Sequence, residues 1–229
     1  MRTCRKELAT ILYGSQNYGL AGPESDKDYH TIILPSSYDL YYNKQADEGW
    51  DVRKFTKLVF DGNFNAIELL FSCQIEFYDE TFMEYFDWLK SIAENIVFRR
   101  SKAFACSIRG CFNASMESAE KAKDYQTLVK HISRAVYFYD FLYGLVKQDY
   151  HIEKLWREKT PDNARKIRFE YLPFDKDAIV YNMNWICKGF QRTEQIPSDY
   201  YEKAVEFFYK MMEDERTDEE FYAERIENG

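Results

Sequence analysis

The sequence predicts an α+β fold: an N-terminal half mixing short strands with helices, followed by a helical half. Three observations carry this. Short apolar runs occupy the first 80 or so residues, at Leu8–Tyr13 and Tyr29–Leu34, stopped by Gly14 and Pro35, and at Ile75–Tyr78. Helical spacing of apolar residues dominates from Asp79 onward. The chain of 229 residues, 45% hydrophobic, is long enough to bury a substantial core.

The elements follow in order. Leu8–Tyr13 reads as the first strand, and Gly14-Ser15 breaks it. Ser15–Leu20 reads as a short helix. Tyr29–Leu34 reads as the second strand, closed by Pro35, and residues 36–50 as a tyrosine-rich hairpin or loop with some strand. Val52, Phe55, Leu58 and Val59 share one face of a helix over Asp51–Phe60, which Asp61-Gly62-Asn63 stops. Ala66–Phe71 reads as a short helix, Ile75–Tyr78 as a strand and Asp79–Asn95 as a helix. Ser101–Lys123 and Leu128–Lys147 follow as two long helices. Residues 157–170 read as a loop with one strand, and Asp177–Cys187 and Tyr200–Arg225 as further helices. The change in character near residue 97 divides the chain into 1–97 and 98–229.

Composition narrows the function. A net charge of −8 argues against a protein that coats nucleic acid with its whole surface, so any such partner needs a local basic face. Arg99, Arg100, Lys102 and Arg109 form one such cluster, which equally offsets acidic neighbours. The five cysteines are scattered and include no CxxC pair, which suits a reducing compartment and argues against a disulfide framework or structural zinc. No apolar run approaches membrane-spanning length, so the expectation is a soluble cytoplasmic protein with no membrane partner.

Chemistry concentrates between Leu12 and Pro35. Gly14 and Ser15 stand where a strand passes into a helix, and free N–H groups there suit a phosphate. Asp26 and Asp28 lie two apart, so on a strand both carboxylates leave one face and repel unless a cation lies between them. That pattern points to a divalent metal. Asp51, Asp47 and Glu48 are the candidates for a third carboxylate. We favour Asp51, which also suits a helix N-cap. Lys54 or Arg53, in the first turn of the next helix, can meet a phosphate. His131 and Arg134 share a helix face with Lys130 and are placed to close over one from the helical half. Asn63, Asn65 and Glu68 can contact a base or ribose, or simply cap and turn the chain.

The run GSxxYGLxxxxSDxD resembles the signature of the DNA polymerase beta-like nucleotidyltransferase superfamily. With Arg53-Lys54-Phe55, Gly62-Asn63-x-Asn65 and Glu68-Leu-Leu-Phe71, it is closest to the bacterial and phage RNA-repair-pathway nucleotidyltransferases. The resemblance covers roughly the first two-thirds of the chain. It implies a small mixed sheet with flanking helices and a helical domain behind it. It also implies transfer of a nucleoside monophosphate from a nucleoside triphosphate, with two magnesium ions (or manganese) held by Asp26, Asp28 and Asp51. The nucleotide would be bound by Gly14, Ser15, Lys54, His131 and Arg134. The acceptor is then an RNA end or tRNA, a protein hydroxyl or a small molecule. Competing expectations are an antitoxin-like protein adenylyltransferase and a non-catalytic nucleotide- or RNA-binding module of the same fold.

Overall fold

A four-stranded mixed sheet with helices packed on it forms the N-terminal part of the molecule. The computed structural model describes residues 6–22, 25–42, 49–147, 151–157 and 162–227, with the side chains of 37, 38, 154, 157 and 214–227 left aside. β1 (Lys6–Tyr13) runs antiparallel to β2 (Asp28–Leu34), with Tyr13 opposite Asp28, Ile11 opposite His30 and Ala9 opposite Ile32. β3 (Trp50–Asp51) lies parallel to β2, and β4 (Ile75–Phe77) lies antiparallel on the far side of β1, giving the order β3-β2-β1-β4. Paired residues share a face, so Ala9, Ile11, Ile32 and Phe77 point together. They meet the apolar stripes of α2 (Val52–Phe60) and α4 (Glu80–Arg99), where the ring of Phe86 lies 6.2 Å from Phe55 and 5.3 Å from Phe77.

Helix ends are capped by the residues that stop the strands and turns. The Asp79 carboxylate accepts from the Phe82 N–H at 2.6 Å and starts α4, and Asn63 accepts from the Ala66 N–H to start α3 (Phe64–Leu70). Beyond them come α5 (Ser101–Glu120), α6 (Tyr125–Lys147), α7 (Ile152–Arg157), α8 (Asp162–Glu170), α9 (Lys176–Cys187) and α10 (Ser198–Glu227). The buried residues of sheet and helices form one contiguous cluster running from Leu8 to Met211. The change of character near residue 97 falls inside α4, and this cluster draws on both sides of it.

Four sequence expectations give way. Ser15–Leu20 is not a helix: only a 3-10 turn, Gly14–Gln16, forms before Gly19 takes a positive φ. The tyrosine-rich stretch after Pro35 opens with a helix, α1 (Ser37–Tyr41), where Ser36 and Asp39 bond one another reciprocally. The 157–170 stretch contains α8 rather than a strand. Its apolar stripe is only Ala164 and Ile167, three apart, and its charges masked that period. Finally, β2 begins at Asp28, so Asp26 lies in the loop before it and strand alternation does not govern its side chain.

Gly49 makes the sharp entry to β3. Its φ is +76°, and a Cβ there would lie 2.6 Å from the Thr31 carbonyl oxygen, so only glycine fits against β2.

Candidate active site

The site grows from the turn that follows β1. Gly14 has a φ of +77°, which turns the backbone back beneath Asp28. A Cβ there would sit 3.6 Å from the Asp28 carboxylate. The turn is anchored from below by Glu68 of α3, which is 2% exposed. One Glu68 oxygen accepts from the Gly14 N–H at 3.0 Å and from the Asn17 side-chain amide at 3.4 Å, and the other accepts from the Tyr18 hydroxyl at 2.9 Å. Burial pushes the Glu68 carboxyl up to about 7, against the opposing pull of those three donors and of Arg134. Burial, reinforced by the neighbouring Glu68, raises Tyr18 far above the ordinary phenol range, so Tyr18 stays a donor. Tyr18 stacks on Tyr137 of α6 with centroids 4.3 Å apart, and the Arg134 guanidinium lies 5.9 Å from the Tyr18 ring.

Above the turn is a cavity of about 360 Å³. Its floor is Gly14, Ser15, Ser25 and Asp28, and its far wall carries Lys130, His131 and Arg134 of α6 and Arg168 of α8. Ser25 closes the small loop below by accepting the Gly22 N–H at 2.8 Å. Partial burial lowers the His131 pKa, and the positive charges of Lys130, Arg134 and Arg168 lower it further. His131 thus reports a positive field, which suits a multiply charged anion such as a phosphate chain.

Of the residues expected from sequence, Gly14, Ser15, Asp28, His131 and Arg134 meet at this cavity, with Lys130 beside them. Asp26 is exposed, in the loop between Ser25 and Asp28, and is not part of the cavity wall. Asp51 does not join them. It lies opposite Ile33, five residues further along β2 than Asp28, about 16 Å away by strand rise. It is buried, caps α2 by accepting the Arg53 N–H at 2.7 Å, and is clamped by the Arg53 guanidinium. Its oxygens are committed to structure. Lys54 also stands apart from the cavity: its ammonium lies 5.9 Å from the Trp50 ring and helps hold His30 at about 4, second to burial. Asp47 and Glu48 lie outside the described residues.

Two residues escaped the sequence reading. Glu68 suits a base contact or a cap equally by spacing, but a carboxylate inside the apolar helix FNAIELL is itself a signal of a buried polar anchor. Arg168 lies on α8, whose two buried residues, Ala164 and Ile167, give too short a stripe to reveal a helix in the sequence.

Set against protein-family models, curated proteins and solved structures, the chain matches none.

As a metal site, the cavity offers hard oxygens from Asp28, while Asp26, two residues earlier in the loop before β2, lies off its wall. Among the described residues no third carboxylate joins them. A magnesium ion held there would draw most of its ligands from water and phosphate oxygens.

Proposed function

We propose that the protein is a metal-dependent nucleotidyltransferase that moves a nucleoside monophosphate from a nucleoside triphosphate to an acceptor hydroxyl. One observation carries the reading: a glycine–serine turn and a strand-edge aspartate face four basic side chains across a single cavity. In this reading the turn presents Ser15 to the triphosphate, while Lys130, Arg134 and Arg168 neutralise its charge. His131, largely neutral at physiological pH, donates or accepts a hydrogen bond there without adding a full charge. The acceptor oxygen forms a bond to the α-phosphorus, the bond from that phosphorus to its bridging oxygen breaks, pyrophosphate leaves, and the hydroxyl proton passes to solvent. Asp26 and Asp28 would hold magnesium, which when bound supplies charge neutralisation at the attacking and leaving oxygens. Glu68 keeps the turn in register with Asp28 by fixing Gly14, Asn17 and Tyr18.

A second reading, a nucleotide-binding module without turnover, is favoured by the structural commitment of Asp51. The two separate on incubation with α-labelled triphosphate and magnesium in the presence of total RNA or lysate. A transferase moves label into one fraction, and a binding module retains it as unreacted triphosphate.

A further inference from the structure

A second depression, of about 370 Å³, adjoins the phosphate cavity and shares His131 with it. It lies at the turn between α5 and α6, where Lys121, Lys123, Asp124 and Thr127 line it. In a chain of net charge −8, this is an unusual concentration of cations. Lys121 and Lys123 here, and Lys130, Arg134 and Arg168 next door, form no ion pair among the described residues. Of the nearby acids, Asp124 lines the depression and accepts from the Thr127 N–H and hydroxyl, both at 2.8 Å, and Glu120 pairs with Lys176 at 2.6 Å. By contrast Arg99, in the other basic cluster, is already paired with Glu194.

Two tyrosines outside its lining lie close by, one at the start of α6 and one just past the end of α8. Tyr125, next to Asp124, stacks on Tyr171 at the end of α8 with centroids 5.8 Å apart and planes 24° from parallel. Both are about half exposed, at 55% and 51%. Tyr171 is the one non-glycine residue with a positive φ (+55°) among the described residues, a backbone state that costs free energy and brings its ring against Tyr125. Unpaired cations that follow a backbone, with an exposed flat ring pair beside them, are the combination that holds single-stranded nucleic acid. An acidic polypeptide would use the cations but has no need of the rings.

We propose that this face, from the phosphate cavity across the α5–α6 turn to Tyr125 and Tyr171, is the track for a single-stranded polynucleotide acceptor. The proposal deepens the transferase reading and rests on it for the acceptor role.

The test is fluorescence anisotropy on the full chain, with labelled single-stranded RNA and DNA oligonucleotides about 12 nucleotides long and labelled polyglutamate, across a salt series. The double variant Lys121→Ala/Lys123→Ala should bind the oligonucleotide on the order of tenfold more weakly, with a log–log salt slope shallower by about 1.4. Tyr125→Ala should weaken binding by roughly tenfold with the slope unchanged. Lys102→Ala/Arg109→Ala, in the other basic cluster, should leave affinity intact. The stronger of the RNA and DNA signals identifies the natural strand. The proposal is overturned if no oligonucleotide binds at the lowest salt, if binding ignores both the lysine and tyrosine variants, or if the Lys102/Arg109 pair carries it. Polyglutamate binding as tight as either oligonucleotide also overturns it. Triphosphate binding, measured separately by calorimetry, keeps the two readings apart. Triphosphate bound with no oligonucleotide defeats the track alone; oligonucleotide bound with no triphosphate defeats the cavity reading alone.

Discussion

Glu68 is where burial, hydrogen bonding and function meet at the scale of one residue. Three donors converge on a carboxylate that has lost its water. Removing it in Glu68→Ala leaves the Gly14 N–H and Tyr18 hydroxyl unpaired in the interior, which should cost roughly 2–4 kcal/mol in denaturant unfolding. Its titration has a definite sign. The folded value, about 7, exceeds the ordinary carboxyl value of 4.5, so the folded chain holds this proton more tightly. Its contribution is therefore fully present below about pH 4.5 and is lost as pH rises towards and through 7. Asp140, raised by burial to about 6, acts in the same direction, whereas His30, lowered to about 4, costs stability as pH falls below 6.5. Subtracting the stability profile of Glu68→Gln from that of the wild type isolates the Glu68 component, on the order of 3 kcal/mol across that interval. A difference profile that is flat from pH 4.5 to 7 would show Glu68 ionised throughout.

At the scale of elements, the β1–turn–β2 unit sets the geometry on which the site depends. Gly14 bends the chain under Asp28 at φ +77°. Gly14→Ala should destabilise the protein by about 1–2 kcal/mol through the left-handed backbone alone, since its new methyl would meet the Asp28 carboxylate only at van der Waals distance, 3.6 Å. Triphosphate affinity should fall with it; unchanged affinity in calorimetry would detach this turn from binding. The same unit explains what was legible beforehand. Gly14, Ser15 and Asp28 are close in sequence and follow a strand, so local spacing exposed them. The helices α2, α4, α5 and α6 carry apolar stripes several turns long, and their period survived. α8 has two buried residues, and α1 is five residues long, too short for either period to emerge. Asp51 misled because one residue fits two roles: a metal ligand and an N-cap both ask for a carboxylate ahead of a helix. The competition was decided by Arg53, two residues on, whose backbone N–H and guanidinium both take that carboxylate.

The whole molecule closes the cavity from two directions. Its floor belongs to the sheet half, and its cationic wall to α6 and α8. That wall was only partly visible in sequence, because Arg168 is 140 residues from Asp28 and only tertiary packing brings it there. Tyr18 against Tyr137 and Phe138, and Phe64 against Phe104, Phe138 and Phe141, fasten the halves through one core. A ligand spanning floor and wall should therefore stabilise the molecule as a unit, by about 2.7 kcal/mol at a hundredfold excess over Kd. Thermal unfolding should shift upward with triphosphate in the wild type, and markedly less in Arg134→Met. An equal shift in the variant would place the ligand elsewhere.

The central claim is that Asp28, set against the glycine–serine turn and the cationic wall, together with Asp26 in the loop before it, drives transfer of a nucleotidyl group. The direct measurement is label movement from an α-labelled nucleoside triphosphate into acceptor, with magnesium, by the wild type and by the Asp26→Asn/Asp28→Asn variant. The account predicts transfer by the wild type and a loss on the order of a thousandfold in the variant. Label transfer that survives both substitutions undiminished would contradict it.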